Sequence, residues 1–181
     1  MKRSESPDRY NAISIALHWL MLLLFVAVYA AIELREFYPK GSDPREALKR
    51  WHFMLGLSVF ALVWVRILAR LVFSAPAPLD ESWSRSAAAK AMHLALYALM
   101  IAMPLAGWMI LSAKGDPIPY FGLRLPPLTG PDAVLAERTK TLHQLGGTIG
   151  YWLIGLHAAA SLFHQYVLRD RLMARMRPVR A

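Results

Sequence analysis

Four apolar runs, each long enough to cross a lipid bilayer, constrain this sequence more than any other feature. They cover residues 12–32, 51–73, 91–113 and 141–168. A hydrocarbon core about 30 Å thick needs about 20 residues of helix at about 1.5 Å per residue. Hydrophobic residues make up 56% of the 181 residues, more than a soluble domain normally carries. The sequence therefore predicts an all-α integral membrane protein, a single domain over residues 1–181 built as a four-helix bundle.

The distribution of positive charge predicts how this bundle is oriented. Residues 1–11, 66–90 and 169–181 contain 12 basic and 5 acidic residues, whereas residues 33–50 and 114–140 contain 9 basic and 7 acidic ones. Because Lys and Arg near membrane spans accumulate on the cytoplasmic side, both termini and the middle loop are predicted to be cytoplasmic. The net charge of +9 fits this rule, so nucleic-acid binding is not expected.

The first run could alternatively be a cleavable signal peptide, since basic residues precede it and the small residues Ala30 and Ala31 lie near its end. Against this alternative, His18 and Trp19 lie inside the would-be apolar core. Cleavage would also leave three spans that violate the charge rule. We therefore expect the first run to be a membrane span.

The loop before the fourth run is the longest and contains five prolines between positions 117 and 131. We expect it to be irregular, to end in a short helix over residues 132–140, and to cover the outer face as a lid. Trp51 and Trp108 fall where an outer aromatic belt is expected, and Trp19 falls near the inner belt.

All six histidines lie within the predicted spans or at their ends: His18, His52, His93, His143, His157 and His164. Ionisable side chains are costly in lipid and usually mark a functional path. The chain has no cysteine, which excludes Fe–S clusters, thiolate-bound zinc and covalently attached haem. Its nine methionines are interpreted as packing residues. Histidine is therefore the expected ligand of any iron cofactor.

In the fourth run, His143, His157 and His164 are separated by 14 and 7 residues. At about 100° per residue they share one helical face, and His143 and His157 lie about 21 Å apart along the axis. Antiparallel topology brings His52 level with His143, and His18 level with His157. Two imidazoles on one iron give a six-coordinate haem suited to electron transfer. We predict two b-type haems, an outer one held by His52 and His143 and an inner one held by His18 and His157.

Small and basic residues lie around these predicted ligands. Four glycines fall in the fourth run: Gly146, Gly147, Gly150 and Gly155. They could let a porphyrin approach the backbone, or they could allow close helix packing. Arg66 and Arg70, in the last turns of the second run, could neutralise haem propionates or extend to lipid headgroups.

His93 and His164 are left over, near the cytoplasmic ends of the third and fourth spans. We expect them to exchange protons and hydrogen bonds with a quinone head, which needs protons when it receives electrons. They could instead be ligands of the inner haem or form hydrogen bonds between helices.

Four stretches make the sequence similar to the bacterial cytochrome b561 family, which is related to the cytochrome b subunits of hydrogenases and formate dehydrogenases. They are SIALHWLMLLLFVAVYA, WHFMLGLSVFALVWVRILARL, AMHLALYALMIAMPLAGWMI and LHQLGGTIGYWLIGLHAAASLFHQYVLRD. The resemblance runs nearly end to end. It implies a multi-pass protein of the bacterial inner membrane, with two haems in the pairing given above.

The segments IELREFYPKG and YFGLRLPP look like those of the subgroup that works alone as a superoxide oxidase. That resemblance implies electron transfer from superoxide to ubiquinone. Superoxide is an anion, so cations near the outer mouth would attract it. Eight cations are available there, although acidic neighbours nearly cancel their charge: Lys40, Arg45, Lys49, Arg50, Lys114, Arg124, Arg138 and Lys140.

Two other functions remain open from the sequence. The chain could be an electron-carrier or anchor subunit that serves a partner dehydrogenase or hydrogenase on its outer face. It could also be a small helical transporter with a histidine proton relay. The expected partners are membrane lipid, a quinone, and superoxide or another outer one-electron donor.

Overall fold

The computed structural model describes residues 9–77, 82–170 and 172–177. Four long helices account for most of the chain: α1 (Ala12–Leu34), α2 (Asp43–Val72), α3 (Trp83–Lys114) and α4 (Ala133–Phe163). The shorter elements are a 3₁₀ turn (Arg35–Phe37), the strands β1 (Ile118–Tyr120) and β2 (Leu123–Leu125), a π-helical turn (His164–Leu168) and a 3₁₀ helix (Leu172–Met176). Part of the charge that predicts the orientation, at residues 1–8, 78–81, 171 and 178–181, lies outside the described residues.

Local capping signals set the helix ends. The Asn11 side chain accepts a hydrogen bond of 2.9 Å from the Ile13 N–H at the start of α1, and the Asp132 side chain accepts one of 2.9 Å from the Leu135 N–H at the start of α4. Gly115 ends α3 in the left-handed conformation, with φ of 72°. The predicted separate helix at 132–140 was wrong, because no glycine or proline interrupts the chain there and α4 continues.

Three helices within the described ranges are long and apolar enough to cross a membrane: Ala12–Phe37, Asp43–Val72 and Trp83–Lys114. They contain nearly all of the first three predicted spans. The fourth predicted span, 141–168, falls in α4 and the turn after it. That helix is not in this set, since its glycines and histidines dilute the apolar side chains. A fourth span therefore stays a prediction.

The helices pack in sequence order, α1 against α2, α2 against α3, and α3 against α4. One buried cluster joins the first three helices: Met21, Val59, Val63 and Met100. Tyr29 of α1 connects α1 to α4. Its hydroxyl donates a hydrogen bond of 3.0 Å to the Gly147 carbonyl, and its ring lies 4.2 Å from that of Tyr151.

The loop before α4 forms a β-hairpin, not the irregular segment expected from its prolines. Its turn residues, Phe121 and Gly122, have φ of 45° and 88°, and positive φ at both positions is typical of a type I′ turn. Ile118 is 2% exposed and packs between Leu57 of α2 and Leu111 of α3. We call this end of the bundle the hairpin end. The opposite end, with the start of α1 and the C-terminal 3₁₀ helix, is the terminal end.

Close packing at Gly150 can be tested by adding a methyl group. A Cβ there would meet the Tyr29 hydroxyl and the Leu99 side chain, so we expect Gly150→Ala to lower the free energy of unfolding by about 1–3 kcal/mol. Gly155→Ala, on the same helix, is the control, because a Cβ there meets no described atom within 4 Å. Unfolding midpoints in detergent measure both, and equal midpoints would contradict the packing.

Candidate haem-binding sites

One pair of histidines lies at the hairpin end, between α2 and α4. The ring centroids of His52 and His143 are 6.2 Å apart, and the ring planes are 82° apart. The Nδ1 atom of His52 is 3.0 Å from the Val28 carbonyl. Nδ1–H therefore donates to this carbonyl, which leaves Nε2 unprotonated and able to bind a metal. The Nδ1 atom of His143 is buried and has no hydrogen-bond partner among the described residues.

Three histidines meet nearer the terminal end. The rings of His18 of α1 and His157 of α4 are 6.3 Å apart between centroids. The ring of His93 of α3 lies 5.7 Å from that of His157. The structure therefore brings both His18 and His93 to His157. This contact is compatible with either of the two roles predicted for His93, a quinone-site residue or a ligand of the inner haem.

The spacing of these rings can be compared with the spacing that an iron would require. A metal–nitrogen bond to imidazole is about 2 Å long and the ring centre lies about 1 Å beyond the nitrogen, so two imidazoles on one iron have centroids about 6 Å apart. Both predicted pairs have this spacing. No group of three or more His, Cys, Asp or Glu suited to holding a metal ion occurs among the described residues. A porphyrin needs only two protein ligands per iron, and the pairs fit that requirement.

Arg66 of α2 lies at the level of the terminal-end histidines. Its Nη2 lies 3.3 Å from His18 Nδ1 and its Nε donates to the Tyr97 hydroxyl at 3.3 Å. Because arginine only donates, this contact uses the His18 tautomer with the proton on Nε2, so iron binding at Nε2 would require the proton to move to Nδ1 and the contact with Arg66 to be lost. Its Nη1 is buried and has no hydrogen-bond partner within the described ranges. A buried guanidinium nitrogen without a partner suits an anionic oxygen, such as that of a haem propionate. Arg70 is exposed and lies over the Tyr10 ring, 5.9 Å from its centroid.

The glycines of α4 fall into two groups. A Cβ at Gly146 would meet the Met103 side chain, and one at Gly150 would meet Tyr29 and Leu99. Neighbouring helices therefore fill the space beside these two, which favours close helix packing over the approach of a porphyrin. Gly147 and Gly155 have no described atom within 4 Å of such a Cβ.

His164 lies beyond α4 in the π-helical turn, and its Nδ1 is hydrogen-bonded to the Asp170 carboxylate. Burial raises the pKa of Asp170, but hydrogen bonds from His164 and from the Leu172 N–H outweigh it, so the pKa lies below its ordinary value. No ring contact between His164 and His93 is found in the described part of the chain. The structure thus separates the two predicted quinone-site histidines, one beside His157 and one beside Asp170.

Some residues of these sites were not predicted. Tyr97 follows His93 by four residues and so lies on the same helical face, a spacing that could have indicated its position. Asp170 follows the last predicted span, and its sequence position indicated a charge in the terminal segment but no contact with His164. Met103 supplies the side chain that fills the space beside Gly146, and no sequence signal indicated it.

Some of the cations at the hairpin end form ion pairs with carboxylates. Arg45 pairs with Glu36, Lys49 with Glu46 and Lys140 with Glu137. The other five are exposed and have no ion pair in the described chain: Lys40, Arg50, Lys114, Arg124 and Arg138. Four exposed carboxylates of the same segments also have no ion pair in the described chain: Glu33, Asp43, Asp116 and Asp132. An approaching anion would therefore meet the five cations together with these carboxylates.

Comparison with known proteins covers almost the whole chain. The family model for prokaryotic cytochrome b561 matches residues 9–178. Cytochrome b561 homolog 1 of Escherichia coli strain K12 is 34% identical over 175 residues, which cover 96% of this chain and 99% of that protein. Probable superoxide oxidase CybB of Yersinia pestis is 36% identical over 171 residues, covering 94% and 96%. Cytochrome b562 of Cereibacter sphaeroides is 29% identical over 171 residues, covering 92% and 94%.

The family match spans every helix that carries a histidine, and the two relatives above 30% identity align over nearly their full lengths. Proteins of this family bind b-type haem, and the paired histidines and apolar helices described above suit such a cofactor in a membrane. This chain therefore belongs to the prokaryotic cytochrome b561 family and is a membrane b-type cytochrome of the oxidoreductase class.

Proposed function

We propose that this protein is a di-haem electron-transfer protein of the bacterial inner membrane that oxidises superoxide at its hairpin end and reduces ubiquinone near its terminal end. The observation that carries the proposal is the presence of two histidine pairs at different levels along α4, each with one member on α4 and one on another helix, and each with the ring spacing that an iron requires. His143 and His157 are 14 residues apart on α4, or about 21 Å along its axis.

In this proposal α4 is the fourth membrane span, and residues 1–181 form one membrane domain. Both termini lie in the cytoplasm, so the terminal end faces the cytoplasm and the hairpin end faces outward. The support is the excess of basic residues in the segments of the terminal end. Three apolar helices and α4 then enclose the histidines within the bilayer.

The side chains have separable tasks. Haem, when bound, supplies one-electron carrier chemistry. His52 and His143 would bind one iron, and the Val28 carbonyl fixes the His52 tautomer that leaves Nε2 free. His18 and His157 would bind the other. An iron held by two imidazoles would have no position left for oxygen or water, which would favour electron transfer over chemistry at the metal.

Arg66 supports electron flow toward the terminal end. A buried cation stabilises the reduced, less positive state of a nearby redox centre. Its unpartnered Nη1 and its hydrogen bond to His18 place this charge beside the terminal-end histidines. Electrons that enter at the hairpin end would then move to the site with the higher potential.

Two observations support superoxide as the electron donor: the name of one relative and the cations at the hairpin end. One relative, 36% identical to this chain, bears the name probable superoxide oxidase. The five exposed cations at the hairpin end can attract an anion. Membership in a haem-binding family disfavours the proton-relay transporter.

A second candidate function is that of an electron carrier for a protein partner. The tip of the hairpin supports it, because Phe121 and Leu123 are 54% and 65% exposed. An exposed apolar tip beside Trp51 would suit a partner surface at the outer face. The two candidates differ in whether the isolated protein accepts electrons from superoxide.

Haem stoichiometry tests the ligand assignment. We expect His52→Ala and His143→Ala each to reduce the haem content from two per chain to one, because a single axial ligand holds b-type haem weakly. His18→Ala and His157→Ala should do the same, whereas His93→Ala should retain two. The pyridine haemochrome assay measures each variant. Two haems in His18→Ala and one in His93→Ala would transfer the ligand role to His93.

Redox titration tests Arg66. We expect Arg66→Gln to lower the midpoint potential of one haem and to leave the other unchanged, since the buried charge lies beside one histidine cluster only. Lys90→Gln is the control, because Lys90 is an exposed cation near the same end. Equal shifts of both haems in Arg66→Gln would contradict a local effect.

Rapid-mixing measurements test the donor. Purified protein should be reduced by generated superoxide, and the rate should fall as ionic strength rises, since salt screens the attraction. The double variant Arg50→Gln, Arg124→Gln should slow the reaction severalfold at low salt, whereas Lys90→Gln should not. Protein that superoxide does not reduce, but that a partner dehydrogenase does, would favour the carrier function.

A further inference from the structure

The segment after α4 holds a carboxylate against His164 through a backbone reversal. The π-helical turn His164–Leu168 ends at Arg169, whose φ of 55° is left-handed. This reversal brings Asp170 back over the turn, where its N–H donates to the His164 carbonyl at 3.3 Å. A left-handed backbone at a residue other than glycine is uncommon, and π-helical turns are frequent at functional sites.

Both oxygens of the Asp170 carboxylate have donors. One is hydrogen-bonded to His164 Nδ1, and the other accepts a bond of 3.1 Å from the Leu172 N–H. The two side chains are each about three-quarters buried, at 26% and 25% exposed. A carboxylate fixed by the backbone in this way can hold an imidazole in one orientation and one tautomer.

The C-terminal 3₁₀ helix fixes this pair at the terminal end. The Trp19 indole N–H donates to the Met176 carbonyl at 2.8 Å, and Arg175 donates to the Ala77 carbonyl at 2.5 Å. The Trp19 ring lies 5.8 Å from the His18 ring. The segment that carries Asp170 therefore packs against the helix that bears His18.

The same π-helical turn contains a polar side-chain atom without a hydrogen-bond partner. Gln165 follows His164 in the π-helical turn, and its Oε1 is buried without a hydrogen-bond partner among the described residues. A buried acceptor without a donor is costly unless a ligand or water satisfies it.

We propose that Asp170 is a positioning residue that holds the Nδ1–H of His164 and so directs the Nε2–H of this histidine to a quinone oxygen. The inference rests on the proposed function. Two superoxide ions lose one electron each and become two oxygen molecules. Ubiquinone takes the two electrons and two protons and becomes ubiquinol. His164 gives one of these protons from Nε2, keeps the Nδ1–H bonded to Asp170, and regains a proton from water at the terminal end. The second proton of ubiquinol comes from the same water.

Asp170→Asn tests this role, because an amide oxygen can still accept the Nδ1–H bond while the negative charge is lost. We expect kcat for quinone reduction to fall about tenfold to a hundredfold, with little change in KM for a short-chain ubiquinone. Haem content and the rate of haem reduction by the donor should match those of the unsubstituted protein. Asp170→Glu should restore much of kcat. Glu137→Gln, which removes a carboxylate paired with Lys140 at the hairpin end, is the matched control.

A measurement without turnover accompanies the kinetics. In histidine-labelled protein, the Nδ1 proton resonance that disappears in His164→Gln identifies the bond to Asp170. We expect this resonance to move upfield in Asp170→Asn, since a bond to a neutral amide is weaker than one to a carboxylate.

The outcomes separate the two proposals. Unsubstituted protein that accepts electrons from superoxide but reduces no quinone overturns the proposed function, and this inference with it. Active unsubstituted protein with an unchanged kcat in Asp170→Asn overturns the inference alone. Loss of haem or a large rise in KM in Asp170→Asn, without rescue by Asp170→Glu, would show that the bond between Asp170 and His164 is only structural. That result would also overturn the inference.

Discussion

The cost of placing imidazole in lipid is the constraint on which the rest of this structure depends. A histidine in an apolar span is costly unless another polar group meets it. Each histidine of α4 and of the turn after it lies against another ionisable side chain. The ring of His143 contacts that of His52, the ring of His157 contacts those of His18 and His93, and His164 is hydrogen-bonded to Asp170. These contacts involve all three other helices and the C-terminal segment, so they fix the rotation of α4 and its axial position against the other helices.

The two ends of the bundle then differ in kind. At the hairpin end, two histidines lie beneath a hairpin seated on α2 and α3, and the neighbouring contacts are mainly carbonyls and apolar side chains. At the terminal end, three histidines share their level with Arg66, and a carboxylate lies just beyond them. The histidine pair at the hairpin end thus has no charged side chain among these contacts, whereas the histidines of the terminal end lie beside an arginine and near a carboxylate. This asymmetry suits electron entry at one end and a proton-coupled reaction at the other.

The histidine positions could be predicted from the sequence because they follow a local helical period. The 14-residue spacing of His143 and His157 predicted two levels, and antiparallel helices then predicted which histidines face each other. The sequence left the role of His93 open between a quinone site and the inner haem, because periodicity along one helix does not give its rotation against a neighbour. Sequence reasoning also missed the hairpin, since Phe121 has a positive φ that its residue type does not indicate.

By itself, the sequence determined the three most apolar helices and the absence of thiolate ligands, because hydropathy, capping and composition are local properties of the chain. It also determined the levels of the histidines along α4, through the fixed rise of an α-helix. Only the tertiary structure decided that neighbouring side chains fill the space beside Gly146 and Gly150 and that His93 lies beside His157. It also decided that Asp170 is hydrogen-bonded to His164. Those outcomes depend on helix rotation, side-chain volume and one left-handed residue, which are settled when the helices pack.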